Sequence, residues 1–81
     1  MIEPKFKKGD YIINHNSGDI AVVKEITKKG YYQFYHYYGG MFKELKDKGH
    51  SLQVNYQKFF DLCTEEEKNM MDNIIEKKGE N

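Results

Sequence analysis

Apolar positions come in short runs separated by polar, glycine-bearing turns until about residue 63, and then recur with helical spacing. Asp10-Tyr11-Ile12-Ile13-Asn14-His15 predicts a first strand, which Asn16-Ser17-Gly18-Asp19 ends with turn chemistry. Ile20 to Ile26 predicts a second strand. Ile20, Val22 and Ile26 share one face, Lys24 breaks the alternation, and a bulge near Lys24 would restore the register. Lys28-Lys29-Gly30 is a hairpin turn in which Gly30 takes the positive φ. Tyr31 to Tyr38 is a third strand of six aromatics, one glutamine and one histidine, ended by Gly39-Gly40. Met41 to Leu45 predicts a fourth strand, Lys46 to Ser51 a charged loop, and Leu52-Gln53-Val54-Asn55 a fifth strand. Tyr56 to Leu62 reads as a short turn of helix followed by an extended residue or two.

The last element is a helix. Thr64-Glu65-Glu66-Glu67 is a capping box, and three glutamates in the first turn suit the positive end of the helix dipole. Met70, Met71, Ile74 and Ile75 form one apolar stripe, read as the docking face, and Gly79 stands where a C-terminal cap is expected. The expected architecture is mainly β: a small five-stranded barrel over residues 1–63 with one C-terminal α-helix, 64–78, packed on it as part of a single domain.

Composition narrows the function classes. A chain of 81 residues and 9.7 kDa is too small for a two-domain enzyme. The longest aliphatic run is Ile20-Ala21-Val22-Val23, whereas a membrane span needs about 20 apolar residues. Met1 to Gly9 is charged and has no apolar signal region, and the single cysteine fits a reducing compartment, so a cytoplasmic location is expected. All 13 basic residues are lysine, and the lack of arginine argues against base-specific major-groove reading. Net charge is zero but polarised: ten lysines face six acids over residues 1–60, and three face seven over 61–81.

The chemistry-bearing residues form no catalytic or metal-binding pattern. His15, His36, His50 and Cys63 are scattered without ligand spacing, so neither a metal nor a cofactor is expected. Cys63 precedes the helix, where the dipole would lower its pKa, and Asp61 with a histidine completes a nominal triad. Its place between Leu62 and a docking helix favours a structural thiol, and a non-enzymatic protein is expected. Gly39-Gly40 lacks the remainder of a phosphate loop.

The tyrosine strand is the candidate binding surface. Strict alternation puts Tyr31, Gln33, Tyr35 and Tyr37 on one face and Tyr32, Phe34, His36 and Tyr38 on the other. The candidate site is Tyr31, Tyr35 and Tyr37 facing outward, with Lys24, Lys28, Lys29 and Lys43 nearby. The expected role is a binding module for a protein partner or for its own copy. Two alternatives stay open: single-stranded nucleic acid stacked on the tyrosines, and an oligomer that sequesters a small anionic nucleotide.

Phe6-x-x-Gly9-Asp10-x-Ile12, followed by Gly18-x-Ile20-x-Val22 and Ile26, resembles the opening of SH3-like barrels, including KOW-type and CarD-type modules. The resemblance covers about the first third of the chain and implies the barrel. RNA-polymerase binding is not carried over, because one short helix follows where CarD-type proteins have a helical domain. Phe60-Asp61-Leu62-Cys63-Thr64-Glu65-Glu66-Glu67-Lys68 is similar to the barrel-to-helix junction of small uncharacterised proteins from gut Bacteroidetes and their phages. That likeness implies a phage or mobile-element setting, in which such a module would act on a host factor.

Overall fold

Backbone pairing in the computed structural model, which describes residues 2–46 and 50–79, joins six antiparallel strands into one sheet. They are β1 (Tyr11–Asn14), β2 (Asp19–Ile26), β3 (Tyr31–Gly39), β4 (Glu44–Lys46), β5 (Ser51–Gln53) and β6 (Asp61–Leu62). A short 3-10 helix, Val54–Phe59, separates β5 from β6, and α1 (Glu65–Gly79) closes the chain. The sheet order is β4-β3-β2-β1-β6, with β5 also on β3. The two ends of that order are not hydrogen-bonded to each other, so the sheet is open, with six strands rather than five.

The differences from the expected strands are local. β1 and β2 pair from Tyr11↔Val22 to Asn14↔Asp19 around the Asn16-Ser17-Gly18 turn. Gly30 has φ +86°, as its hairpin requires. Gly39 is still strand, and β4 begins only at Glu44 instead of Met41. Lys43 sits at φ 51°, a left-handed conformation that keeps the Met41-Phe42-Lys43 segment in a turn. β5 ends at Gln53, because Val54 starts the 3-10 turn that buries Val54 and Gln57. The expected turn of helix followed by extended residues is this 3-10 segment and β6. The middle of the charged loop, 47–49, lies outside the described residues.

Register along β2 and β3 shifts twice. Val22 pairs with His36 and Val23 with Phe34, which leaves Tyr35 without a counterpart. Glu25 then pairs with Gln33, which leaves Lys24 without one. The bulge expected at Lys24 is therefore present, and a second shift at Tyr35 accompanies it.

Both faces of the sheet are covered. One face holds Phe6, Ile12, Ala21, Val23, Tyr32, Phe34, Val54 and Phe60 as one buried cluster. The other holds Ile13, Ile20 and Val22 under Met71 of α1, with Tyr11, Tyr38, Leu45, Cys63 and Ile75 packed around them. On the first face the Tyr32 hydroxyl donates to Gln57 Oε1 and accepts from the Lys5 and Phe6 backbone N–H groups at 3.1 and 3.3 Å. Gln57 Nε2 donates to the Glu3 carbonyl at 2.8 Å, so one polar pair fastens the N-terminal segment to β3 and to the 3-10 helix.

The capping box forms as the sequence predicts: Glu67 N–H donates to Thr64 Oγ1 at 3.2 Å, and Thr64 N–H to Glu67 Oε1 at 2.8 Å. The other oxygen of Glu67 meets His15 Nε2 at 3.1 Å, while His15 Nδ1 lies 3.4 Å from Asp61. The hydrogen bond to Glu67 raises the His15 pKa above its ordinary value. The Tyr11 hydroxyl donates to Asp72 at 2.5 Å, a bond that pushes its pKa up to about 12.

The helix stripe is split by this docking. Met71 is fully buried, whereas Met70 is 47% exposed. Met71→Ala is expected to cost about 2–5 kcal/mol of stability and Met70→Ala under about 0.5, measured by urea unfolding. Equal costs would contradict the docking face.

Candidate functional site

The first turn after β1 folds back on itself. Asn14 Oδ1 accepts from the Asn16 and Ser17 N–H groups at 2.9 and 3.4 Å, and Gly18 N–H reaches the Asn14 carbonyl at 2.7 Å. This delivers Asp19 to the start of β2, facing the far end of β3. Its Oδ2 accepts from the Tyr37 hydroxyl at 2.5 Å and its Oδ1 from the Gly40 N–H at 2.8 Å. Asp19 thereby fastens the turn after β3 to the turn after β1.

Gly40 makes this approach feasible. A Cβ placed there would lie 2.5 Å from Gly18 C and Ser17 O, both backbone atoms. Behind this contact Tyr37 stacks on His50, with ring centroids 4.7 Å apart and planes 8° from parallel. Its other neighbour is Phe34, at 5.6 Å and tilted by 48°.

Together these residues wall a cleft of about 360 Å³. Tyr37 and His50 form its aromatic side, and Ser17, Asp19, Gly39, Met41, Phe42, Glu44 and Lys46 complete the lining. Met41 and Phe42 are 78% and 79% exposed, a pair of large apolar side chains held in solvent at the mouth. The volume falls in the usual range for ligand pockets. Among the described residues two carboxylates and one lysine line it, with no concentration of positive charge.

Both Asp19 oxygens accept hydrogen bonds already. Burial, with the Asp19 bond second, raises the Tyr37 phenol well above its usual pKa, which keeps it neutral. Cys63 lies elsewhere, under the helix, where burial pushes its thiol up to about 11. Among the described residues no cluster of histidine, cysteine and carboxylate side chains is arranged to hold a metal ion, and no helix is long and apolar enough to cross a membrane.

The candidate residues from the sequence do not gather in one place. Tyr37 is in the cleft and packs with the Phe34 cluster, on the side opposite to the one strict alternation assigns it. The register shift at Tyr35 is the cause, since it changes the parity of the strand between Phe34 and His36. Tyr35 is 40% exposed and stands beside Lys24, whose ammonium is 6.0 Å from the ring centroid. Tyr31 and Lys29 line a separate hollow of about 450 Å³ with Ile2 and Gln53, and the Tyr31 hydroxyl accepts from Gln53 at 3.3 Å. Lys28 is exposed in the β2–β3 turn, while Lys43 is exposed beyond the opposite end of β3.

The cleft draws on residues that sequence reasoning passed over: Asp19 and Ser17 as turn formers, His50 as a lone histidine, and Met41 and Phe42 as strand. Their one legible signal was two large apolar residues following Gly39-Gly40. Comparison with protein-family models, with curated proteins and with solved structures gives no match.

Gly40→Ala is expected to cost about 1–3 kcal/mol in urea unfolding, because the methyl must displace backbone of the neighbouring turn. Gly39→Ala, whose Cβ would find its nearest atom at 4.0 Å, is expected to change stability by under about 0.5 kcal/mol. Equal tolerance at both positions would show that the two turns are not in contact.

Proposed function

We propose that this protein is a non-enzymatic binding module that engages a protein partner through the cleft between the turns at 14–19 and 39–44. The observation that carries the reading is the pairing of a preformed aromatic wall with Met41 and Phe42 held exposed at its mouth. Exposed apolar side chains lower solubility unless they are covered in use. The near balance of charge in the lining favours an apolar or aromatic side chain over a phosphate.

Nucleic-acid stacking and capture of an anionic nucleotide have weaker support. Both need tyrosines and lysines in one array, and the lysines stand at opposite ends of β3 or singly beside Tyr35. An SH3-like barrel remains the proposed family of folds. Its support is the glycine-aspartate pair at 9–10 just before β1 and Gly18 just before β2. A phage or mobile-element setting rests on the likeness of the 60–68 segment.

Selection of a displayed library of random peptides on the full chain tests the reading. Enriched peptides are expected to carry a large apolar or aromatic residue. Their affinity should fall at least about tenfold with Phe42→Ser or His50→Ser and stay unchanged with Tyr35→Ser. No enrichment, or peptides indifferent to Phe42 and His50, would overturn it.

A further inference from the structure

The rim of the cleft includes an edge strand. β4 ends the sheet order, paired with β3 on one side through Tyr37↔Lys46, Tyr38↔Leu45 and Gly39↔Glu44. Alternation sends Glu44 and Lys46 to the cleft face, while Leu45 packs toward α1. Glu44 and Lys46 are both exposed, and among the described residues neither is joined in an ion pair.

The order of these charges is self-complementary. If two copies pair their β4 strands antiparallel about a two-fold axis at Leu45, Glu44 of each stands directly opposite Lys46 of the other. Opposite charges so placed stabilise a strand pair, and like charges there destabilise it. The axis also brings the two clefts onto one side of a continuous sheet. The exposed Met41 and Phe42 adjoin this edge and would add apolar contact.

We propose that β4 is a self-recognition edge and that the protein partner of the cleft rim is a second copy of this chain. The inference rests on the protein-contact reading above and gives it a specific occupant. Symmetry selects that occupant: an unrelated strand has no reason to carry the reverse charge order, whereas a second copy carries it automatically. In the single chain Lys78 rests on the edge, its ammonium donating to the Leu45 carbonyl at 2.9 Å. This is a common way of blunting an exposed strand, and pairing replaces that long exposed side chain with a neighbouring strand.

Sedimentation of the full chain over a concentration series tests the proposal with a charge swap. The wild type is expected to show a monomer–dimer equilibrium. Glu44→Lys alone and Lys46→Glu alone should each weaken dimerisation by about tenfold or more, since each sets like charges opposite one another twice per dimer. The double swap Glu44→Lys/Lys46→Glu should recover affinity to within about threefold of wild type. The recovery also shows that the single variants did not fail by misfolding. A wild type that stays monomeric up to its solubility limit, or a dimer indifferent to the single swaps, overturns the proposal, as does a double swap that fails to recover. A monomer whose selected peptides still depend on Phe42 and His50 overturns the pairing alone. A charge-sensitive dimer whose peptides ignore those residues overturns the cleft reading alone.

Discussion

Two unpaired residues, Tyr35 on β3 and Lys24 on β2, decide which side of the sheet everything beyond them occupies. A shift of one residue exchanges the faces of a strand. Tyr32 and Phe34 point into the cluster under the N-terminal segment, and without the shift Tyr37 would point away from it. With the shift Tyr37 joins the same face, reaches Asp19 and lies flat on His50. The polar link between the two turns, the aromatic wall and the cleft all depend on that change of parity. Bulges re-aim single side chains, and here the re-aimed residue is Tyr37, which lines the cleft.

A small domain has few residues to spare, and this one uses polar side chains as multiple fasteners. Tyr32 and Gln57 together hold three backbone groups of the N-terminal segment. Asp19 holds one side chain and one backbone group from β3 and its turn. Glu67 closes the helix cap with one oxygen and meets His15 with the other. Among the described residues no buried side-chain nitrogen or oxygen lacks a partner, so these nodes carry little desolvation penalty. Packing supplies the rest: the sheet is covered on one face by α1 through Met71 and on the other by Phe6, Val54 and Phe60.

Much of the fold was legible because its signals are local. Gly30 marks a hairpin through its positive φ, and Thr64 and Glu67 mark a cap through their spacing. Lys24 revealed a bulge because a charged residue interrupts an otherwise apolar strand. The companion shift at Tyr35 left no trace, since residues 31–38 are aromatic on both parities and either register looks equally apolar. That ambiguity is why Tyr31, Tyr35 and Tyr37 read as one row when they stand in three environments. The cleft was hidden for a second reason. Its partners, Asp19, Tyr37 and His50, are far apart in sequence, and hydrogen bonds and ring stacking between distant residues have no periodicity to detect. Met41 and Phe42 read as strand because apolar character alone does not separate a buried edge from an exposed turn.

The parity change on β3 is the claim from which the site follows, and nuclear Overhauser contacts among the aromatic rings of the full chain test it directly. Cross-peaks from the Tyr37 ring to both Phe34 and His50, with none to Tyr35, are the expected result. Tyr37 in contact with Tyr35, and remote from Phe34, would mean that strict alternation holds and that the cleft described above does not exist.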